Sequence, residues 1–176
     1  MAGTDPAAPN FIAGYGPQPS DFNGWVQAPF TFLTTKVMFR AAMGGAVSLS
    51  GGGFTLMNWD TILEDPYGGW NSGSGTWTCP PGCGGWYEVT MTAWSASAAN
   101  TADIIEAVVY LNGTIYQQCS ADWGVDGHAT GTSGSVPVSL YGGQDAISAY
   151  IFSTASLNTP TATGQTPTFE VAWISL

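Results

Sequence analysis

The chain carries very little charge. Only 8% of its 176 residues are charged, and two cations stand against twelve acids, for a formal net charge of −10. Two cations do not build a basic groove, which excludes nucleic-acid binding, and they do not favour docking on anionic membranes. Monomers normally cover their surface with mixed charge. We therefore expect either a chain that buries much of its exterior against partners or a secreted domain with a Thr/Ser/Gly surface.

Groups for catalysis are also scarce. His128 is the single histidine, and no Gly-x-Ser-x-Gly or Ser/His/Asp pattern pairs a nucleophile with a base. The adjacent acids Glu64 and Asp65 precede a proline turn, which is typical of a solvated corner rather than of a glycosidase pair. We predict that the chain is not an enzyme and uses no cofactor.

Long apolar runs are missing as well. No stretch is long enough for a transmembrane helix, and residues 1–6 show neither a basic start nor an apolar segment. We expect synthesis in the cytoplasm, no secretion signal, and release only by cell lysis.

Three cysteines are an odd number for a disulfide framework. Cys79 and Cys83 flank a Pro-Pro-Gly turn and either close a small loop or stay reduced, and a reducing cytosol disfavours the bridge. A zinc site with Cys119 would need a fourth ligand, so ordinary turn cysteines are the favoured interpretation. Asp122 and Asp126 are weak calcium candidates, because their spacing fits no EF-hand loop.

Glycine (24), proline (11) and aromatic residues (13%) are abundant, which is typical of many short strands joined by turns. Residues 1–35 differ from the rest: an arm is followed by a short helix near 20–28 that begins at Ser20. We assign residues 1–35 to attachment and assembly, and residues 36–176 to one β domain. The particle-attachment candidates, at helical spacing, are Phe22, Trp25, Phe30 and Leu33.

From residue 36 onward the apolar period becomes two. Residues 86–96 alternate cleanly, with Tyr87, Val89, Met91 and Ala93 on one face. Asn112-Gly113 predicts a tight hairpin. The spacing of strands and turns predicts an all-β antiparallel sandwich or jelly roll of about eight to ten strands.

The last strand, near residues 169–176, is apolar on both faces. Phe169, Val171 and Trp173 lie on one face, while Ala172 and Ile174 lie on the other together with the C-terminal leucine. In a strand with one solvated face, apolar and polar residues should alternate along the chain. The pattern therefore predicts a second buried surface, which a subunit interface would supply.

Several landmarks occur in the order of a known family. They are Phe39-Arg40-Ala41, Trp59-Asp60-Thr61-Ile62-Leu63, Tyr67-Gly68, Trp77-Thr78-Cys79-Pro80, Gly85-Trp86-Tyr87-Glu88-Val89, Val109-Tyr110-Leu111-Asn112-Gly113, Ser133-Gly134-Ser135-Val136, Leu140 to Ile147, and Phe169 to Leu176. In this order they resemble the jelly roll of the complement globular head and the tumour necrosis factor superfamily, over most of the chain. Gln144 interrupts the family's adjacent Gly-Asp pair.

The resemblance implies a compact homotrimer, with aromatic and aliphatic side chains around a threefold axis, and no catalytic residues. For that interface we predict Tyr87, Val89, Ala172, Ile174 and Leu176.

Features outside the domain differ from the animal members of this family. There is no Gly-x-y collagen stalk. Instead, residues 19–23 and 30–33 resemble the start of many bacteriophage tail, fibre and head-surface proteins. We therefore predict a virion protein on the capsid exterior: a trimeric decoration protein that contacts the major capsid protein or other virion proteins and stabilises the shell.

Eight tryptophans leave a second function open, because aromatic faces stack on sugar rings. Trp70 and Trp123, both near loops, are the candidates for contact with a host surface glycan. The alternatives to a decoration protein are thus a tail or fibre receptor-binding module and a ligand-binding jelly roll unrelated to phage.

Overall fold

The structure is a computed structural model that describes residues 37–96, 102–124, 128–160 and 165–175. Within these ranges the chain forms thirteen β-strands. They are β1 (Met38–Ala42), β2 (Ser48–Leu49), β3 (Gly53–Leu56), β4 (Thr61–Glu64), β5 (Trp70–Asn71), β6 (Thr76–Thr78), β7 (Gly85–Ser95), β8 (Ile104–Leu111), β9 (Thr114–Trp123), β10 (Thr130–Leu140), β11 (Ala146–Ser153), β12 (Leu157–Asn158) and β13 (Thr168–Ser175). The predicted arm and helix lie outside the described residues. No described segment is a helix long and apolar enough to cross a membrane.

Two five-stranded sheets make up the body of the domain. The first has the order β10-β7-β13-β1-β4, and the second has the order β5-β6-β11-β8-β9. Every named strand pair is antiparallel. The chain crosses repeatedly between the sheets, so sequence neighbours such as β10 and β11 lie in different layers. The predicted all-β jelly-roll sandwich is confirmed, and β2, β5 and β12 are two-residue strands added to its longer ones.

The core between the sheets is rich in aromatic rings. Phe169 on β13 stacks on Trp59 at 5.7 Å between ring centroids and meets the ring of Phe39 edge-on at 5.8 Å. Trp77 packs against Tyr87 at 5.8 Å. All five side chains are at most 1% exposed. Large rings bury much apolar area each, and such contacts add to the hydrophobic term.

The alternation along the long strands decides which side chains enter this core. On β7, Tyr87, Val89, Met91 and Ala93 are all 0% exposed, as the period of two predicts for one common face. On β11, the inward side chains are those of Ile147, Ala149 and Ile151, also 0% exposed.

One side of the sandwich is closed by contact between β9 and β10. Gly134 on β10 lies so close to the carbonyl of Cys119 on β9 that a Cβ atom would not fit there. Tyr116 on β9 also donates a hydrogen bond from its hydroxyl to the carbonyl oxygen of Pro137, at 3.0 Å. The two sheets therefore meet along this edge rather than leaving it open.

The predicted Asn112-Gly113 hairpin is confirmed and is tied to a second turn. Both residues have positive φ, 52° and 78°, as a tight hairpin turn between β8 and β9 requires. Asn112 Nδ2 donates to Asp145 Oδ1 at 2.8 Å, and Tyr141 N donates to the other oxygen of that carboxylate at 2.7 Å. The buried Asp145 thus joins the β8–β9 and β10–β11 connections.

Replacement of Phe169 tests whether the aromatic core holds the two sheets together. Phe169→Ala should lower the free energy of unfolding by about 3–5 kcal/mol, since it removes a ring from a packed interior. Urea denaturation at fixed protein concentration measures the change. The matched control is Phe54→Ala, because Phe54 is 42% exposed; its cost should be about 1 kcal/mol. Equal losses for both variants would contradict this assignment of the core.

Candidate functional site

The outward face of the first sheet is polar in its middle. Arg40 on β1 lies 3.5 Å from Glu64 on β4 and 3.3 Å from Glu170 on β13, measured from guanidinium nitrogen to carboxylate oxygen. These side chains are 40–46% exposed, so the ion pairs contribute little to stability. Small hydroxyl side chains continue the polar area, as where the Thr92 and Thr168 hydroxyls meet at 2.9 Å.

One end of the same face is apolar. Trp86 on β7 and Ile174 on β13 are 46% and 53% exposed, and the strand register brings Trp86 opposite Ser175, next to Ile174. Tyr141, which follows β10 at this end of the sheet, is 59% exposed. We call Trp86, Tyr141 and Ile174 the apolar corner. Sequence reasoning missed Tyr141, although its position after a β-strand and before a Gly-Gly turn marks an exposed loop start.

The structure sorts the predicted interface residues into two groups. Tyr87 and Val89 face the interior of the subunit and are 0% exposed, so neither offers surface to a neighbouring copy. Their assignment to the interface was wrong, because the apolar face of β7 is the one that packs on the second sheet. Ala172 is half-buried and Ile174 exposed, both on the outward face. Leu176 lies outside the described residues.

The outward face of the second sheet carries a cluster of rings. Tyr110 and Tyr150 stack at 3.9 Å, and Phe54 lies 5.1 Å from Phe152 and 6.0 Å from Tyr110. Val108, which pairs with Tyr150, is only 2% exposed although it faces outward. This aromatic cluster was not predicted. Its signal is the second face of β11, where Tyr150 and Phe152 alternate with the inward isoleucines.

The two predicted glycan contacts lie at opposite edges of the second sheet. Trp70 on β5 is half-buried and stacks on Phe39 at 5.2 Å, and it lines a groove together with Tyr67 and Asn71. Trp123, at the end of β9, is 62% exposed. The structure does not bring them together, and they belong to separate surfaces.

Most of the predicted metal-binding and particle-attachment residues lie outside the described part of the chain. Asp122 is exposed on β9, whereas Asp126 lies outside the described residues. No group of three or more metal-ligating side chains occurs among the residues that the structure describes. The attachment candidates Phe22, Trp25, Phe30 and Leu33 also lie outside them.

All three cysteines are free thiols. Tyr87 donates its hydroxyl hydrogen bond to the carbonyl of Cys83, and Cys79 Sγ lies 3.4 Å from the same oxygen. Burial raises the pKa of the Cys79 and Cys83 thiols; for Cys79 the hydrogen bond with the Tyr87 hydroxyl opposes this rise in part, while nearby Cys83 and Asp145 add to it. Burial raises the pKa of Cys119 to about 11. Thiols of this kind are poor nucleophiles near neutral pH.

Alkylation with iodoacetamide near pH 8 tests the state of the thiols. Because only the thiolate reacts, each cysteine of the native protein should be labelled at least about tenfold more slowly than free glutathione. The same reaction in denaturant provides the control, and there all three should react quickly. Mass spectrometry of peptides would contradict the assignment if Cys119 were labelled at the rate of glutathione.

Known proteins resemble this chain in fold rather than in sequence. The chain matches no protein-family profile and no curated protein sequence. Among solved structures, it is similar to the globular domain of the zebrafish complement 1qA protein, with 14% identity and a TM-score of 0.54 over 79% of this chain and 98% of that chain. The Eiger TNF of S. frugiperda gives 12% identity and a TM-score of 0.56 over 80% and 94%. Murine APRIL, in a crystal structure at pH 5.0, gives 13% identity and a TM-score of 0.57 over 78% and 99%.

These likenesses confirm the predicted jelly roll of the tumour necrosis factor and complement type. At such low identity they show the fold alone.

Proposed function

We propose that this chain is a non-enzymatic structural protein of a bacteriophage virion, assembled as a homotrimer of jelly rolls on the capsid exterior. Residues 1–35 contact the major capsid protein or another virion protein, and the β domain projects outward. The protein is made in the host cytoplasm and joins the particle there.

The apolar corner is the observation that carries the proposal. Trp86, Tyr141 and Ile174 are each about half exposed, at one end of one sheet face. Single exposed apolar side chains are ordinary, whereas neighbouring ones mark a contact surface. The corner lies on the outward side of β13, the strand whose two apolar faces predicted an interface. A second copy packed there would cover Ile174 and the half-buried Ala172.

The distribution of charge supports self-association at this place. With a formal net charge of −10, identical copies repel one another, so contact is favoured where few acids are exposed. Glu88, the next outward residue along β7 after Trp86, is an exposed acid, but its carboxylate is engaged because it accepts a hydrogen bond from the Ser135 hydroxyl at 2.8 Å. None of the three residues of the corner is charged.

The absence of an activated nucleophile in the described ranges supports a structural role. His128 is exposed, and the thiols of Cys79 and Cys83 are buried with raised pKa values. A catalytic pair would need a nucleophile and a base within hydrogen-bond reach. The virion assignment itself is supported by the resemblance of residues 19–23 and 30–33 to phage head-surface and tail proteins.

Native mass spectrometry tests the oligomer. At about 10 µM the wild-type protein should contain three copies, and Ile174→Glu should dissociate it, because a carboxylate in an apolar contact is costly. The control is Trp123→Glu, since Trp123 is 62% exposed on the other sheet; this variant should stay trimeric. Far-UV circular dichroism checks that both variants keep their strands. A monomeric wild type would overturn the proposed assembly.

The location of the protein can be tested on purified particles of the phage that carries the gene. Peptide mass spectrometry should find the chain in the virion, and cryo-electron microscopy should show trimeric density on the capsid exterior. Density at the tail or fibre tip would instead support the receptor-binding alternative. A chain missing from the particles would contradict both.

A further inference from the structure

The aromatic cluster on the outward face of the second sheet extends beyond its rings onto β9. Ile115 pairs with Tyr110 in the β8–β9 register, which places its 51% exposed side chain on the same face. Trp123, at the end of β9, pairs with Ile104 and is 62% exposed. Neighbouring exposed apolar side chains of this kind mark a contact surface.

One acid lies within this apolar face. Glu106 on β8 faces outward, because the next residue, Ile105, faces the core and is 2% exposed. The β8–β11 register pairs Glu106 with Phe152, and it pairs Tyr150 with Val108, two residues further along β8. The Cβ atoms of such direct pairs are about 4.5–5.5 Å apart, and diagonal neighbours remain within reach of long side chains. Glu106 therefore lies beside the Phe152 ring and near that of Tyr150.

The opposite side of Glu106 is open to an approaching group. Its partner on β9 is Ala121, which is exposed and has only a methyl side chain. Trp123 lies two residues further along β9, diagonally across from Glu106. The Glu106 carboxylate can thus be approached between the rings of Phe152 and Trp123.

Nothing in the described ranges neutralises Glu106. Arg40, the one cation there, lies on the first sheet and is already paired with Glu64 and Glu170. The half-buried Glu106 accepts no hydrogen bond from a described residue. A carboxylate that is partly withdrawn from water between apolar side chains gains from a cation that a partner supplies.

Charge and shape together select the type of cation. The formal net charge of −10 attracts basic partners and repels acidic ones, a second copy of this chain included. A guanidinium suits rings beside a carboxylate, because its face stacks on a ring while its fork of N–H groups pairs with both carboxylate oxygens. The hydroxyls of Tyr110 and Tyr150, whose rings stack at 3.9 Å, add acceptors to the same cluster. A lysine ammonium is a strongly hydrated point charge and fits this combination less well.

We propose that the aromatic cluster and Glu106 bind a basic protein partner through an arginine side chain, whose guanidinium packs against Phe152 and pairs with the Glu106 carboxylate. Apolar side chains of the partner next to this arginine cover Phe54 and Ile115. The binding face belongs to the second sheet, whereas the apolar corner belongs to the first, so the basic partner and the copies of the proposed trimer use different faces of the subunit.

The test is a titration with the peptide acetyl-Gly-Gly-Arg-Gly-Gly-amide, followed by aromatic ¹H–¹³C signals of the native protein. The ring signals of Phe152 and Tyr150 should shift with a dissociation constant of about 1 mM, since a single side chain makes the contact. The lysine peptide should bind at least about threefold more weakly. The citrulline peptide, which keeps the shape of arginine but not its charge, should give no shift.

Two variants separate the roles of the charge and the ring. Glu106→Gln removes the charge but keeps the size of the side chain, and Phe152→Leu removes the ring but stays apolar. Each should weaken binding of the arginine peptide by about fivefold or more. Glu88→Gln is the matched control, because it removes one acid from the first sheet and leaves the aromatic cluster untouched; it should bind as the wild type does. Thermal unfolding checks that all three variants are folded at the temperature of the titration.

Four results would overturn the proposal: no shift of the ring signals with the arginine peptide, equal affinity for the lysine or citrulline peptide, unchanged binding by Glu106→Gln or Phe152→Leu, or the same loss in Glu88→Gln as in Glu106→Gln. The last result would mean that net charge alone attracts the peptide. Because the number of copies is measured without any peptide, the trimer and the arginine site can each fail while the other stands.

Discussion

Burial of the Phe39, Trp59 and Phe169 rings between the two sheets is the interaction on which the other features depend. Phe39 contacts Phe169 on one side and Trp70 on another, so one buried ring joins the middle of the core to the β5–β6 hairpin. A weaker core would therefore loosen this hairpin as well.

The second constraint is the low number of charges. With Arg40 as the one cation in the described ranges, the exterior relies on Ser, Thr and aromatic side chains where other proteins have lysine and glutamate. The surface therefore has three different regions: a polar area in the middle of the first sheet, the apolar corner at its end, and the cluster of aromatic rings on the second sheet. An assembly protein uses such uncharged regions for contact without the need to desolvate ions.

The sequence by itself determined the class of fold. The period-two pattern over residues 86–96 identified a strand, and Asn112-Gly113 identified a hairpin, because these signals depend on local backbone geometry. The sequence also determined how few charged side chains the surface can carry.

Only the tertiary structure decided which face of a strand is inside. Alternation separates Tyr87 from Trp86 but does not say which one meets the second sheet, and our interface assignment of Tyr87 failed for that reason. The apolar corner and the core both bring together residues far apart in sequence, such as Trp86 with Ile174 in the corner and Trp70 with Phe39 in the core. Their proximity follows from the order of strands in the sheets, which no local pattern encodes.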